Sequence, residues 1–331
     1  MRAAVIGGGA WGTALGDLLA RAGHDVALWA LEPDVVSHVN ETHANPRFLA
    51  GVALHPAFRA TGDAAAAVRA AELVVFATPS HVLREVARRT APGIGPDAVQ
   101  VIGTKGIEPD SLLLMSDVIE AEVPGRTVVA ISGPSFAIEV ARGQPTAVVA
   151  ASASHEAAVA VQSALSGDGF RVYTSDDVRG VELAGALKNV MAVATGIADG
   201  LELGLNSRAA LITRGLAETT RLGVALGAQA ATFAGLAGLG DLVLTCTGAL
   251  SRNRAVGIEV GRGRKLDEIM AGTETVAEGV RNARTAVALA ARAGVSMPIA
   301  DAVCRVLFES QSPREAIAGL MQRELRAERD G

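Results

Sequence analysis

The sequence predicts an α/β fold: a doubly wound, mostly parallel sheet followed by an all-helical domain. Short apolar runs alternate with helix-like segments through the first half of the 331-residue chain. Beyond Asp176-Asp177, strand-like runs largely disappear and helix-like stretches of Ala, Leu, Val and Gly take over. Because alternating strands and helices are typical of parallel sheets, we expect a sheet domain at residues 1–177 and a helical domain at 178–331.

The composition indicates a globular protein and excludes several other classes. Half of the residues are apolar, a fifth are charged, and the net charge of −5 argues against a nucleic-acid binder with a broad basic face. Two cysteines, Cys246 and Cys304, cannot make a disulfide framework and suit a reducing, cytoplasmic setting. No secretory signal is evident, and no Cys/His cluster has zinc-ligand spacing, so we expect no metal.

One stretch is long and apolar enough to raise the question of a membrane span. Residues 222–240 carry no charge over 19 positions. Five of these residues are glycines, and Gln229 and Thr232 interrupt the rest. We therefore expect soluble apolar helices joined by glycine turns, and no membrane span.

The first strand-like run, residues 2–6, leads into a glycine-rich turn and then a helix-like segment at residues 13–22. The turn is Gly7-Gly8-Gly9-Ala10-Trp11-Gly12. This is the G-x-G-x-x-G pattern of a dinucleotide-binding Rossmann domain. Gly7 permits the tight turn, Gly9 lets the backbone approach a pyrophosphate, and Gly12 lets the helix pack close to the strand. The helix N-terminus would supply amide donors to the phosphates.

An acid follows the second strand-like run, residues 25–30. Glu32 stands 20 residues after Gly12, where a carboxylate would bind the ribose hydroxyls of NAD. The alternative is that Glu32 is an ordinary turn carboxylate before Pro33.

Five further strand-like runs complete the predicted sheet: Leu73–Ala77, Val99–Gly103, Thr127–Ile131, Ala147–Ala151 and Arg171–Thr174. Ligands bind beyond the carboxyl ends of the strands in such sheets. The candidate segments are therefore Thr78-Pro79-Ser80, Gly103-Thr104-Lys105-Gly106 and Ser132-Gly133-Pro134-Ser135. Each could instead be a simple turn, because turns use the same residue types.

Only three of the thirty basic residues are lysines: Lys105, Lys188 and Lys265. Lysine can give and take a proton, whereas arginine stays protonated. Lys265 lies in a charged stretch and is expected at the surface. Lys188 lies in an apolar helix-like stretch, and all six histidines fall in the first half of the chain. Lys188 is therefore the candidate for proton transfer, and the alternative is a lysine that snorkels from a helix face.

Two features of the second half could complete a site. Asp241 stands alone in a long uncharged run, and an acid buried there would need a partner such as Lys188. Its alternative role is a helix N-cap. The tripeptide Ser251-Arg252-Asn253 offers a bidentate cation between neutral donors, which suits a phosphate. Its alternative is an exposed turn.

Seven motifs, in matching order from the first residues to about residue 320, resemble those of the bacterial NAD(P)-dependent glycerol-3-phosphate dehydrogenases. They are Gly7 to Ala14, Lys105-Gly106-Ile107-Glu108, Ser132-Gly133-Pro134-Ser135, Gly185-Ala186-Leu187-Lys188-Asn189, Gly240-Asp241-Leu242 with Thr245-Cys246-Thr247, Ser251-Arg252-Asn253, and Val276-Ala277-Glu278-Gly279.

The resemblance implies a homodimer that interconverts sn-glycerol 3-phosphate and dihydroxyacetone phosphate for phospholipid synthesis. It implies catalysis by Lys188, as proton acceptor and donor, with Asp241 and Lys105. The implied substrate-binding residues are Lys105, Gly133, Ser135, Lys188, Asn189, Asp241, Thr245, Ser251, Arg252 and Asn253. The cofactor-binding residues, from the resemblance and the glycine pattern together, are Gly7, Gly9, Ala10, Trp11, Gly12, Glu32, Thr78, Pro79, Lys105, Ala137, Arg252, Val276 and Glu278.

One departure from the family bears on cofactor choice. NADP-using members often have a basic residue just after the second strand, whereas this chain has Leu31-Glu32 and its next arginine is Arg47. A carboxylate there would repel a 2′-phosphate, so we expect NAD(P) binding with a preference for NAD(H).

Two opposing effects act on the pKa of Lys188. Burial or a nearby Lys105 would lower this pKa, whereas Asp241 would raise it, and the sequence alone leaves both directions open.

Two alternative functions stay open at this point. One is a related β-hydroxyacid dehydrogenase, whose substrate carries a carboxylate. The other is a non-catalytic NAD(H) sensor that kept the fold. The Ser251-Arg252-Asn253 cluster and Asp241 favour a phosphate substrate, and the presence of Lys188 favours an enzyme.

Overall fold

The computed structural model describes residues 1–271, 277–325 and 327–328. The chain forms two compact units, one of Met1–Lys105 and Leu113–Val178, the other of Gly106–Leu112 and Arg179–Gly331. The second unit thus includes a short segment, Gly106–Leu112, from the first half of the sequence. The single boundary expected at residue 177 assigns this segment to the sheet domain instead. Within that unit, the Arg292 guanidinium donates to the carbonyl oxygens of Ser111 and Leu112, at 3.3 and 3.4 Å.

The first unit is built on an eight-stranded sheet. Its strands are β1 (Arg2–Ile6), β2 (Asp25–Trp29), β3 (Arg59–Thr61), β4 (Leu73–Phe76), β5 (Val99–Ile102), β6 (Val128–Ser132), β7 (Thr146–Ala151) and β8 (Phe170–Ser175). Their order is β3-β2-β1-β4-β5-β6-β7-β8. All neighbours are parallel except β6 and β7. The mostly parallel, doubly wound sheet expected from the sequence is confirmed, and β3 is the strand that the apolar runs did not reveal.

Seven helices accompany the sheet: α1 (Ala10–Arg21), α2 (Pro33–Thr42), α3 (Ala64–Val68), α4 (Leu83–Thr90), α5 (Met115–Glu122), α6 (Ala137–Ala141) and α7 (His155–Leu165). Alternate residues of β1 enter opposite cores, since Ala3 and Val5 pack in one cluster and Ala4 and Ile6 in the other. Both faces of the central strands are therefore buried, which explains why β1 and β4 read as continuous apolar runs.

The second unit contains nine described helices: α8 (Val178–Gly200), α9 (Gly204–Ala225), α10 (Ala230–Ala234), α11 (Asp241–Thr247), α12 (Arg252–Gly261), α13 (Leu266–Ala271), α14 (Glu278–Ala293), α15 (Pro298–Phe308) and α16 (Pro313–Met321). A π-helical turn, Leu236–Gly240, leads into α11. The expected α/β-then-helical architecture is confirmed.

Helix α8 is the core element of this unit. Every residue from Gly180 to Ala198 is buried. By length and composition α8 could cross a membrane, but its most apolar window is entirely buried inside the protein, as a core helix would be. The uncharged stretch 222–240 instead holds the end of α9, the glycine turn at Gly227 (φ 89°), α10 and the π turn. It forms the short helices and glycine turns that the sequence indicated.

Helices α8 and α12 approach each other closely through two pairs of glycines. Gly196 and Gly200 of α8 face Gly257 and Gly261 of α12. A Cβ atom on Gly257 would overlap the carbonyl oxygen of Val193, and the other three would meet backbone just as closely. Because glycine lacks a Cβ, the two backbones can pack against each other directly.

We predict that Gly257→Ala lowers the free energy of unfolding by about 1–3 kcal/mol, the usual cost of overpacking. The matched control is Gly319→Ala on α16, where a Cβ meets nothing within 4 Å. That change should stabilise the protein by about 0.5–1 kcal/mol, because alanine loses less backbone entropy in a helix. Urea unfolding of both variants measures the difference, and equal effects would contradict the close packing of α8 on α12.

A buried carboxyl group caps α15. Glu218 of α9 is 3% exposed, and its oxygens accept the backbone N–H groups of Ile299 (2.9 Å) and Ala300 (3.4 Å). Burial raises the pKa of Glu218 to about 7, while the two backbone hydrogen bonds oppose the shift. The proton therefore binds more tightly in the folded protein than in the unfolded chain.

This shift makes stability depend on pH. Below about pH 4.5 the Glu218 carboxyl is protonated in both states, and between pH 4.5 and 7 it ionises first in the unfolded chain. The free energy of unfolding of the wild type, relative to Glu218→Gln, should thus fall by up to about 3 kcal/mol over this range and then level off. Urea unfolding at a series of pH values measures it. Parallel curves for the two proteins would contradict the raised pKa.

Candidate active site

The glycine turn between β1 and α1 has three glycines in different environments. Gly7 has φ 127°, which side-chain-bearing residues rarely adopt, and a Cβ there would lie 2.8 Å from the carbonyl oxygen of Ala77. A Cβ on Gly12 would overlap the carbonyl oxygen of Gly7. Gly9, at the N-cap of α1, has nothing within 4 Å of its Cβ position. The turn therefore packs closely against backbone at Gly7 and Gly12, and has free space at Gly9, next to the N-terminus of α1.

Two buried polar groups beside this turn have no hydrogen-bond partner within the described part of the chain. They are the indole Nε1 of Trp11 and the hydroxyl Oγ1 of Thr78. Thr78 follows β4, and its carbonyl oxygen accepts a hydrogen bond from Thr104 Oγ1 after β5 at 2.8 Å. Because buried polar groups are nearly always paired, an open helix N-terminus beside unpaired groups fits a polar ligand such as a dinucleotide.

Two carboxylates, Glu32 and Asp34, follow the end of β2. Glu32 is half-buried at the N-cap of α2, and its side chain makes no capping hydrogen bond. Asp34 follows in the first turn of α2 and forms an ion pair with Arg47 at 3.3 Å. Arg47, the next arginine after Glu32 along the chain, is thus already partnered by a carboxylate. The two acids and one arginine leave this segment with a net negative charge.

The remaining candidates of the first unit also follow strand ends. Gly133, after β6, has φ 151°, and a Cβ there would lie 2.8 Å from Val148 Cα, so glycine is required. Ser135 Oγ donates to the carbonyl oxygen of Gly133 at 2.9 Å. Ala137 is the first residue of α6. Lys105, after β5, is half-buried; Pro79, after β4, is exposed.

In the helical unit, Lys188 and Asp241 form a buried ion pair. The Lys188 ammonium contacts Asp241 Oδ1, and the two residues are 8% and 1% exposed. Asp241 is the first residue of α11, directly after the π turn, and Thr245 Oγ1 donates to its carbonyl oxygen at 2.6 Å. A buried acid in this uncharged stretch requires a counterion, and Lys188 supplies it as expected. Lys265 is exposed, as predicted.

A chain of amide hydrogen bonds joins α8, α12 and α14. Asn253 Nδ2 donates to Asn189 Oδ1, and the backbone N–H of Gly279 donates to Asn253 Oδ1, both at 2.9 Å. A Cβ on Gly279 would overlap the carbonyl oxygen of Asn189. These contacts fix the side chain of Asn253, the third residue of the Ser251-Arg252-Asn253 tripeptide, against Asn189, which follows Lys188. Glu278 begins α14, whereas Val276 lies outside the described residues.

The Ser251-Arg252-Asn253 tripeptide forms the N-terminus of α12. Ser251 is its N-cap, and its hydroxyl accepts the backbone N–H of Arg254 at 3.3 Å. Arg252, the first residue of the helix, has an exposed side chain. A helix N-terminus carries partial positive charge and free amide donors, so an arginine at this point makes an arrangement suited to an anion.

Cys246 lies beside the ion pair on α11 and is fully buried. Burial raises the pKa of its thiol to about 12. Since the thiolate is the reactive form, Cys246 is an inert packing residue at neutral pH. The described residues hold no group of three or more metal-binding side chains.

Two sets of residues were missed in the sequence. Asn45 is completely buried, and its Nδ2 donates to the carbonyl oxygen of Gly8 (2.9 Å) and to Thr13 Oγ1 (2.8 Å), which holds the glycine turn. No spacing in the sequence marks it. Asp199 pairs with Arg208 and with Arg254, which directly follows the tripeptide. A signal existed for it, because Asp199 stands eleven residues after Lys188, three helical turns along the same face.

Comparisons with known proteins agree over both units. The family model described as NAD-dependent glycerol-3-phosphate dehydrogenase N-terminus matches residues 2–158, and the model for the C-terminus of the same enzyme matches residues 177–318.

Curated relatives named glycerol-3-phosphate dehydrogenase (NAD(P)+) include one from Citrifermentans bemidjiense, 51% identical over 98% of each chain. Another, from Geobacter sulfurreducens, is 52% identical over 99% of each chain. A solved structure of glycerol-3-phosphate dehydrogenase from Coxiella burnetii superposes with a TM-score of 0.94 at 41% identity, covering 97% of this chain and 99% of that one. The chain therefore belongs to the NAD-dependent glycerol-3-phosphate dehydrogenase family.

Proposed function

We propose that this protein interconverts sn-glycerol 3-phosphate and dihydroxyacetone phosphate with NAD(P)(H). The observation that carries the proposal is the buried Lys188–Asp241 ion pair, in the same helical unit as the anion-suited N-terminus of α12. The relatives' name, glycerol-3-phosphate dehydrogenase (NAD(P)+), supports the same reaction. A phosphate-bearing polyol needs one group to handle the proton and another to hold the phosphate, and these two features suit those tasks.

The cofactor would be held in the sheet unit. Gly7, Gly9 and Gly12 would leave room for the pyrophosphate at the N-terminus of α1, and the Trp11 indole and the Thr78 hydroxyl would gain partners from it. Further contacts in this unit are proposed for Ala10, Pro79, Lys105 and Ala137, and Glu32 would bind the adenine-side ribose. The family resemblance also assigns Arg252, Val276 and Glu278 to the cofactor. The bound nicotinamide supplies the hydride acceptor or donor for C2.

Lys188 would handle the proton. In glycerol 3-phosphate oxidation its neutral amine accepts the C2 hydroxyl proton as hydride leaves C2, and in the reverse direction its ammonium polarises the ketone and donates the proton. Asp241 orients the Lys188 side chain through the ion pair. The apolar surroundings strengthen these interactions because little water competes with them.

The substrate phosphate would bind at the start of α12. Arg252 offers a planar pair of N–H donors, and the helix N-terminus adds backbone N–H groups. Ser251 and Asn253 flank the arginine, and Asn189, Thr245, Lys105, Gly133 and Ser135 are the other proposed substrate contacts. Asn253 is already oriented by Asn189 and Gly279, so little entropy is lost when substrate binds.

We further propose that the protein is a cytoplasmic homodimer that supplies glycerol 3-phosphate for phospholipid synthesis. Both cysteines are free thiols, which supports a reducing compartment. Exposed apolar side chains on the helical unit, among them Leu205, Val224 and Val243, offer surface for a subunit contact.

We predict that Lys188→Ala lowers kcat for dihydroxyacetone phosphate reduction by about 10²–10⁴-fold, the usual contribution of a general acid or base. Lys188→Arg should lose similar activity, since arginine preserves a cation for Asp241 but does not release its proton. The loss of NADH absorbance during dihydroxyacetone phosphate reduction reports both.

The matched control is the exposed Lys265→Ala, which should keep wild-type activity. Full activity in either Lys188 variant would remove the lysine from the mechanism. Absence of wild-type turnover with dihydroxyacetone phosphate, together with turnover of a β-hydroxyacid, would replace the proposed substrate.

The same proposal includes a preference for NAD(H) over NADP(H). Glu32 and Asp34 place negative charge at the end of β2, and Arg47 is engaged by Asp34. A 2′-phosphate brought to this point would meet carboxylates, whereas free ribose hydroxyls can donate hydrogen bonds to Glu32.

We predict that the wild type has a higher kcat/KM with NADH than with NADPH, and that Glu32→Arg shifts the ratio towards NADPH by about tenfold or more. Glu41→Arg, at an exposed position near the end of α2, is the matched charge change and should leave the ratio nearly unaltered. A wild type that favours NADPH, or equal shifts in the two variants, would contradict the role of Glu32.

A further inference from the structure

We propose that Asp199 is a positioning residue for the phosphate-binding turn Ser251–Asn253 and that it acts through Arg254. The inference rests on the proposed function, because it assumes that this turn holds an anion. Asp199 itself would not touch the substrate.

Asp199 is the centre of an enclosed ion-pair network. Its side chain is 10% exposed. Its Oδ1 accepts hydrogen bonds from Arg208 Nε (2.9 Å) and Nη2 (2.6 Å), and its Oδ2 accepts one from Arg254 Nε (2.8 Å). The carboxylate thus joins three helices, because Asp199 belongs to α8, Arg208 to α9 and Arg254 to α12.

Arg254 is held at both its backbone and its side chain. Its N–H donates to the Ser251 hydroxyl at 3.3 Å, which closes the turn. Its carbonyl oxygen lies so close to Gly196 that a Cβ there would overlap it. With the guanidinium fixed by Asp199, the first turn of α12 can neither rotate about its axis nor slide along α8 without breaking one of these contacts.

Helix α8 connects this network to the proton-transfer lysine. Lys188 and Asp199 lie on the same face of α8, three turns or about 16 Å apart along the helix axis. Asn189, next to Lys188, contacts Asn253 at 2.9 Å. The position of the turn relative to Lys188 is therefore set at two points along α8, by the Asn189–Asn253 hydrogen bond and by the Asp199–Arg254 ion pair.

An effect through charge and an effect through positioning predict opposite changes in phosphate affinity when the Asp199 carboxylate is removed. One aspartate between two arginines leaves a net charge of +1 beside an anion site. If only charge mattered, Asp199→Asn would raise the local positive charge and tighten phosphate binding. If Asp199 positions Arg254, the same change frees the turn and weakens phosphate binding. The sign of the effect therefore separates the two explanations.

The experiment compares the wild type, Asp199→Asn and a matched control, Glu259→Gln. Glu259 likewise accepts hydrogen bonds from two arginines, Arg262 (2.9 Å) and Arg264 (2.8 Å), but it lies near the C-terminal end of α12, away from the turn. Calorimetry measures the binding of inorganic phosphate without turnover, and steady-state kinetics give KM and kcat for dihydroxyacetone phosphate and KM for NADH.

We expect Asp199→Asn to weaken phosphate binding and to raise KM for dihydroxyacetone phosphate about tenfold or more, with a smaller effect on kcat and none on KM for NADH. Glu259→Gln should match the wild type in all four quantities. In a double-mutant cycle, Arg254→Gln should add little to Asp199→Asn, because both remove the same contact.

Unchanged or tighter phosphate binding in Asp199→Asn, equal losses in Glu259→Gln, or additive losses in the double mutant would overturn the proposal. If Asp199→Asn does not fold, Arg254→Lys carries the same prediction, since it keeps the charge but loses the Nε donor. Phosphate binding by a wild type that does not reduce dihydroxyacetone phosphate would contradict the proposed reaction and leave the positioning role open to the same calorimetric test.

Discussion

The helical unit depends on one constraint: a lysine and an aspartate that are buried together in apolar surroundings. Neither Lys188 nor Asp241 could be buried alone, because an isolated charge in a low-dielectric interior is unstable. As a pair they hold α8 against α11 at one point, and each limits the conformations of the other. Such a pair is weak support for stability, so its presence in the core helix of the unit is better explained by function than by folding.

The packing around that pair keeps its geometry fixed. Glycines at the α8–α12 contact bring backbone against backbone, and an amide chain through Asn189 and Asn253 reaches the first turn of α14. Positions held by backbone contact vary less than positions held by long side chains. The arrangement therefore gives a preorganised site on rigid helices, which is what general acid–base chemistry and anion binding both require.

Much of this could be predicted from the sequence, for reasons that differ between elements. Seven of the eight strands were found. The inner strands are largely buried on both faces and read as apolar runs, whereas β8, at the sheet edge, alternates buried Val172 with exposed Arg171 and Tyr173. The strand Arg59–Thr61 was missed because one exposed and two half-buried residues at the sheet edge carry no such signal. The antiparallel direction of β7 arises because the connection from β6 starts and ends at the same end of the sheet instead of crossing over it, which composition does not record. Lys188 and Asp241 were paired correctly because each is a lone charge in an apolar stretch, whereas Asn45 and Asp199 act through contacts between residues far apart in the sequence.

The central claim is that Lys188 handles the proton of the C2 hydroxyl, and a crystal structure of the protein with NAD(H) and dihydroxyacetone phosphate tests it most directly. The account predicts that Lys188 Nζ lies within hydrogen-bond distance of the C2 oxygen, about 2.6–3.2 Å, with Asp241 still in contact with the ammonium. A substrate whose C2 oxygen instead contacts a different side chain, with Lys188 paired only to Asp241, would contradict it and make the ion pair a structural feature of the fold.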